Sequence, residues 1–329
     1  MSDSILLQAQ DLQKHFPVKN FFGAVTNVVK AVDGVSFDIR RGETFGLVGE
    51  SGCGKSTLGR TLIRMWDPTG GRIVFNGEDI TDLKGRELLD IHRKMQIIFQ
   101  DPYTALDPHQ NVQEILSEPL KVHTRMSPAE MDDYIVEMLG KVGLEPDALC
   151  KYAYEFSGGQ RQRIGIARAL AVKPEFIMCD EPISALDVSI QAQVVNMLED
   201  LQAEFGLTYL FVAHDLSMVR HISNRIGVMY LGRLVEIAEC GDLYDNPLHP
   251  YTQALLSAIP LADPKLARTA TRKGIEGDLP SPMNIPSGCR FRTRCPYARE
   301  ECAAAQPELE ERAPGHFVAC WRKQAFHPD

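Results

Sequence analysis

The stretch GLVGESGCGKSTLGR, residues 46–60, constrains the fold more than any other part of the chain. It satisfies G-x-x-x-x-G-K-[ST] at Gly49, Gly54, Lys55 and Ser56, follows the apolar run TFGLV and leads into the helix-compatible STLGRTLIRM. Strand, loop and helix in that order predict a phosphate-binding loop. Glycines let successive backbone N–H groups turn inward around phosphate oxygens, and the following helix aims its positive end at them. Lys55 supplies a point charge for the β- and γ-phosphates, and the Ser56 hydroxyl is a ligand for Mg²⁺. ATP is therefore expected on Gly49, Glu50, Ser51, Gly52, Cys53, Gly54, Lys55, Ser56 and Thr57. Cys53 reads as a small residue whose backbone matters, not as a redox centre.

Three further stretches end apolar runs in polar groups. KMQIIFQDP delivers Gln100, EFIMCDEP delivers Asp180 and Glu181, and LTYLFVAHD delivers His214. Each reads as a buried parallel strand, and ligands bind at the carboxyl edge of an open parallel sheet. The four residues are expected to converge on the nucleotide. Asp180, ending a hydrophobic strand, suits Mg²⁺ directly or through water, with Ser56 and Gln100 beside it. Glu181 is left free to polarise an attacking water, the alternative being a second outer-shell partner of the ion. Gln100 senses metal and water, and His214 reaches the γ-phosphate.

Composition narrows the class. A chain of 329 residues with 44% hydrophobic side chains is large enough for two domains, or for one with an appendage. MSDSILLQAQDLQKHF has no basic stretch ahead of an apolar run, and no segment reaches the roughly 18 apolar residues of a membrane span. A soluble, cytoplasmic protein is expected. The net charge of -9 offers no broad attraction to polyanions, so no nucleic-acid partner is expected. Eight cysteines in this setting point to reduced thiols.

EFSGGQRQRIGIARALAV puts Ser157 where it caps a helix whose first turn holds Gly158, Gly159 and Gln160. A Gly-Gly helix start is a second anion site, and one chain needs only one for its own ATP. This one is expected to serve a neighbour's nucleotide. With FSGGQ, the phosphate loop, FIMCDEP, SALD (residues 184–187) and VAHD in place, residues 6–240 resemble the ABC transporter ATPases. The resemblance implies an α/β P-loop fold of ABC type, with a mixed-sheet core, an antiparallel β subdomain and a helical signature subdomain. It also implies two subunits facing head to tail, each ATP lying between one phosphate loop and the other signature. On this resemblance Gln100 is the Q-loop glutamine, Ser157 to Gln160 the signature, Asp180 and Glu181 the metal ligand and catalytic base. Asp187 is the dimer-communication aspartate and His214 the switch histidine. Phe156 stands where the family usually has Leu, a conservative apolar change. The family places an aromatic under the adenine; in LQKHFPVKNFFG the best match is Phe16, with Phe21 and Phe22 as rivals.

NPLHPYTQALLSAIP, together with LPSPMNIPSGCRFRTRC, is similar to the dipeptide and oligopeptide importer subfamily, above all to its F-type ATPase subunit. That resemblance implies uptake of peptides, nickel chelates or other small solutes at the cytoplasmic face of a bacterial membrane. The implied partners are a paralogous ATPase, two permease subunits and an extracytoplasmic binding protein. A soluble ABC ATPase of repair, translation or iron–sulfur assembly is the rival class. The expected division is an ATPase domain over 1–257 with its helical subdomain near 101–165, a proline-rich connector over 258–286 and a four-cysteine domain over 287–329.

Cys289, Cys295, Cys302 and Cys320 follow the spacing C-x5-C-x6-C-x17-C. Four thiolates are a ligand set for tetrahedral Zn²⁺ or for an iron–sulfur cluster. The spacing lacks the close pairs of structural zinc sites and also misses the common ferredoxin patterns, which leaves both centres open, with two disulfides as a third arrangement. Arg290, Arg292, Arg294 and Arg299 are placed to offset cluster charge or to form a solvated face. Members of the importer subfamily carry such a tail with a four-iron, four-sulfur (4Fe-4S) cluster, and the resemblance implies that cluster here, with Zn²⁺ as the runner-up. The distance along the chain from Glu181 points to a structural or sensing role apart from ATP chemistry.

Overall fold

The computed structural model describes residues 4–259 and 277–322, so most of the expected connector lies outside the described residues. In chain order the strands are β1 (Ile5–Lys19), β2 (Val25–Arg40), β3 (Thr44–Val48), β4 (Gly70–Phe75), β5 (Glu78–Asp79) and β6 (Met95–Ile98). They continue with β7 (Phe176–Asp180), β8 (Thr208–Ala213), β9 (Arg225–Tyr230), β10 (Arg233–Glu239), β11 (Glu310–Ala313) and β12 (His316–Val318). One sheet is antiparallel in the order β2-β1-β4-β5, and the other is mixed, in the order β11-β12-β10-β9-β3-β8-β7-β6.

Parallel pairing of β6 with β7, β7 with β8, β8 with β3 and β3 with β9 sets their carboxyl ends side by side. Apart from the half-buried edge strand β6, these strands are buried on both faces, which is why they read as continuous apolar runs. The period of two still sorts the side chains. Phe45, Leu47, Met178, Leu210 and Val212 join a core shared with β1, β2, β4 and the helix Lys55–Leu62. Val48, Ile177, Cys179, Tyr209 and Phe211 join a second core on the opposite face, beneath the helices Gly158–Leu170 and Val188–Phe205.

Between β6 and β7 the chain is helical. The helices Val112–His123, Pro128–Lys141 and Gly158–Leu170 bury Ile115, Leu116, Leu120, Ile135, Met138, Leu139 and Ile164 at helical spacing. Each begins at a capping box, respectively Asn111 with Glu114, Ser127 with Glu130 and Ser157 with Gln160.

The cysteine-bearing tail extends the core sheet. β12 pairs antiparallel with β10, Glu236 opposite Val318 and Ile237 opposite Phe317. Glu236 is fully buried at this seam, where its carboxylate accepts from the Leu248 and His249 N–H groups and pairs with His316 Nε2 at 2.7 Å. Phe291 packs among the rings of Tyr230, His249 and Tyr251. These contacts attach the tail beside the phosphate loop.

Candidate active site

The loop after β3 closes because two of its positions have no side chain. A Cβ at Gly49 would stand 2.2 Å from the Met229 carbonyl oxygen, and one at Gly54 would stand 2.1 Å from that of Ala31. Only glycine lets the loop lie this close to β9 and β2. Gly54, at φ 109°, begins the helix Lys55–Leu62 without a side-chain cap, so its first N–H groups face the loop. Lys55 is buried, and its Nζ donates to the carbonyls of Gly49 (2.7 Å) and Glu50 (3.1 Å).

Ser56 and Arg60, one helical turn apart, both reach Asp180 at the end of β7. The Ser56 hydroxyl donates to Asp180 Oδ1 at 2.6 Å, while Arg60 donates to Oδ2 from Nη2 (2.9 Å) and Nε (3.2 Å). Asp180 is 0% exposed, and a buried carboxylate requires this degree of pairing. Glu181 then turns out of the strand in the left-handed region, φ 47°, with its N–H bound to the Val212 carbonyl at 3.0 Å. That turn aims its carboxylate at neighbours from two other strand ends. Gln100 Nε2 donates to Oε2 at 2.7 Å, and His214 Nδ1 lies 3.5 Å from the same oxygen. Glu181 is thereby oriented by an amide on one side and an imidazole on the other.

One cleft is lined by Phe16, Ser51, Gly52, Gly54, Lys55, Ser56, Thr57, Gln100 and Glu181, with Val29 and Ala31 from β2 and Pro282 from the segment ahead of the cysteines. Phe16 meets Trp66 edge to face, ring centroids 5.3 Å apart. Phe21 and Phe22 sit at the tip of the β1–β2 hairpin, 98% and 90% exposed. Cys53 is buried, which pushes its thiol pKa up and keeps it unreactive. Ser157, Gly158, Gly159 and Gln160 do not line this cleft, and Asp187 is exposed at the start of the helix Val188–Phe205.

Reasoning from motifs missed Arg60, Trp66, Pro282 and Tyr251. For Arg60 a signal existed, since its i,i+4 relation to Ser56 puts both on one helix face. Tyr251 carried none, because its hydroxyl accepts the Glu50 N–H at 2.8 Å from 201 residues away.

Beside this cleft, Cys289, Cys295, Cys302 and Cys320 line one pocket with His249, Phe291, Tyr297 and Trp321. All four are free thiols. Burial raises the pKa of Cys295 and Cys320 and pushes that of Cys289 up to about 11. Among the described residues, no group of three or more His, Cys, Asp or Glu side chains is arranged to hold a single metal ion.

A family model described as ABC transporter matches residues 32–184, and one for the oligopeptide/dipeptide transporter C-terminal region matches residues 235–302. The putative oligopeptide transport ATP-binding protein YkfD of Bacillus subtilis is 57% identical over 96% of this chain and 94% of its own. The chain belongs to the ATP-binding subunits of oligopeptide and dipeptide ABC transporters. AppF of Bacillus subtilis, named an oligopeptide transport ATP-binding protein, is 53% identical over 96% of both chains. OppF of Salmonella typhimurium, named likewise, is 50% identical over 96% of both. Among solved structures, the dimeric post-hydrolysis ATP-binding cassette MJ0796 bound to ADP and Pi aligns with a TM-score of 0.64 at 28% identity, covering 71% of this chain and 99% of that one. As a member of this family the protein is an ATPase, and the soluble repair, translation and assembly ATPases are not favoured. Among the described residues no helix is long and apolar enough to cross a membrane.

Proposed function

We propose that this subunit powers peptide import from the cytoplasmic face of the membrane, as one half of a paired ATPase docked on two permeases, with an extracytoplasmic binding protein delivering the cargo. The observation that carries this reading is the division of the phosphate-handling parts. The cleft at Lys55, Ser56, Gln100 and Glu181 holds the triphosphate of its own ATP, while the Ser157–Gln160 helix start lies outside that cleft and faces a partner's ATP. The dimeric MJ0796 cassette carrying ADP and Pi is consistent with such a pairing.

In this cleft the residues fit Mg²⁺. Ser56 and Asp180 meet at 2.6 Å and Gln100 lines the same cleft as Ser56, so these three would hold the ion, which when bound would supply positive charge to offset that of the phosphates. Lys55 adds its charge at the same phosphates. Glu181, oriented by Gln100 and His214, takes a proton from the attacking water, and His214 contacts the γ-phosphate. Phe16 stacks under the adenine. Asp187 relays the closure of the pair. A groove lined by Arg60, Gln96, Phe99, Glu118, Val122 and Arg168, between β6 and the helical segment, receives the permease.

The four tail thiols fit a metal centre by donor chemistry, and they share one pocket without being gathered into a ligating geometry among the described residues. They line one pocket, and the resemblance to the importer subfamily supports a 4Fe-4S cluster there, with Zn²⁺ as the runner-up. Such a centre would be held by Cys289, Cys295, Cys302 and Cys320 and would staple the tail.

Glu181→Gln tests the catalytic assignment. It should leave Mg-ATP binding intact and lower turnover in the assembled transporter by at least about two orders of magnitude. Turnover close to that of the wild type would remove Glu181 from the role of base.

A further inference from the structure

Glu50, the second residue of the phosphate loop, is held at every polar group it has. Its N–H donates to the Tyr251 hydroxyl at 2.8 Å, and its carbonyl accepts from Lys55 Nζ at 3.1 Å. Its carboxylate takes a two-pronged contact from Arg294, Nη1 to Oε2 at 2.7 Å and Nη2 to Oε1 at 3.0 Å. Arg294 directly precedes Cys295 and is nearly buried, with a further contact to the Tyr230 hydroxyl at 3.4 Å. Fork-on-fork pairing of guanidinium and carboxylate fixes both distance and plane, which a single point charge does not.

A second arm runs to the base side of the cleft. Arg290, next to Cys289, donates to Asp33 and to the Leu231 carbonyl. Asp33 pairs with His15 Nε2 at 2.9 Å, and His15 precedes Phe16 on β1. Pro282, ahead of the cysteines, lines the cleft itself. Arg294 thus touches the phosphate loop, Arg290 reaches the strand carrying Phe16 through Asp33 and His15, and the segment ahead of the cysteines supplies Pro282 to the cleft wall.

We propose that the cysteine tail is a working part of the nucleotide site, with Arg294 as a positioning residue that sets the phosphate loop through Glu50, so that nucleotide affinity and the state of the four thiols are coupled. A phosphate loop binds through backbone N–H groups whose directions must be set beforehand, and loosening them adds an ordering cost to binding. Arg294 touches no reacting atom. Its effect enters through the backbone that Glu50 carries. The coupling rests on chain contacts alone and holds whether the thiols carry iron, zinc or protons. Linkage makes it reciprocal: a tail that tightens nucleotide binding is itself tightened by nucleotide.

The test uses the full-length purified chain with Arg294→Gln, Glu50→Gln and the double variant. Mg-ATP affinity is measured by equilibrium titration, and alkylation rates of Cys289, Cys295, Cys302 and Cys320 are followed residue by residue with and without Mg-ADP. Each single variant should weaken Mg-ATP by about tenfold, and the double variant by no more than either single one. Mg-ADP should slow alkylation of the four thiols in the wild type and not in the variants. Arg294→Gln that folds and binds Mg-ATP within about twofold of wild type would overturn the proposal, as would additive losses in the double variant. If Arg294→Gln does not fold, Glu50→Gln, which leaves the tail untouched, decides: persistence of full Mg-ADP protection there overturns the coupling and its loss supports it.

Discussion

Phe16 is one of three phenylalanines within seven residues, and their fates differ entirely. The hairpin carries Phe21 and Phe22 to its tip, where they touch mainly each other at 5.7 Å, while Phe16 stays on the wall of the cleft against Trp66. Stacking on a base contributes on the order of 1–3 kcal/mol, so Phe16→Ala should weaken ATP binding by about tenfold or more. Phe21→Ala and Phe22→Ala should leave it unchanged. Titration with Mg-ATP separates the three, and a loss at Phe21 or Phe22 equal to that at Phe16 would move the stacking position. At this scale the sequence was informative wherever chemistry and spacing coincide, as at Lys55 and Ser56. It was silent on Tyr251 and on the pairing of Arg294 with Glu50, because a hydrogen bond spanning 201 or 244 positions leaves no local pattern.

Elements were legible in proportion to how strongly their burial shapes their composition. β3, β7 and β8 are buried along their whole lengths, and their apolar runs announce them. β11 is the contrary case, since EERA sits at the sheet edge with its side chains mostly exposed and pairs only through its backbone. Nothing in its composition separates it from a polar loop. The signature helix lies between these extremes, for Ser157 and Gln160 form the reciprocal cap that the sequence implies. On the proposed reading the Ser157 hydroxyl has two separable duties, the cap and contact with a partner's ATP. Ser157→Ala removes one cap, worth about 1 kcal/mol of stability. It should leave this chain's own Mg-ATP affinity unchanged, because Ser157 does not line its own cleft. In the assembled pair it should slow hydrolysis at the partner's ATP by more than the small stability loss explains. Thermal melting, equilibrium titration and turnover measured on one preparation distinguish the duties, and a matching loss of affinity at its own site would contradict the division of labour.

At the scale of the whole molecule, the tail is joined to the ATPase core by strand pairing at β10–β12, by the buried Glu236 that holds His316 and the turn before the helix Pro250–Ser257, and by Phe291 in the ring cluster. A span of about forty residues cannot bury enough apolar surface to fold alone, and these seams supply part of what it lacks. Burial holds the Cys289, Cys295 and Cys320 protons on, so a metal centre must displace them and is favoured only if its bonds exceed that penalty. Two consequences follow, the first of which separates a 4Fe-4S cluster from zinc. Protein purified without oxygen should be brown, with about four irons and four labile sulfides per chain, and Cys295→Ser should remove the colour. The same substitution should make the tail melt at a lower temperature while β3, β7 and β8 keep their hydrogen-exchange protection, since the tail packs on the core sheet without building it. Colourless anaerobic protein holding one zinc per chain would replace the cluster with a zinc site, and protein with neither metal that melts as the Cys295→Ser variant does would leave the strand pairing and the Glu236 seam as the fastening of the tail.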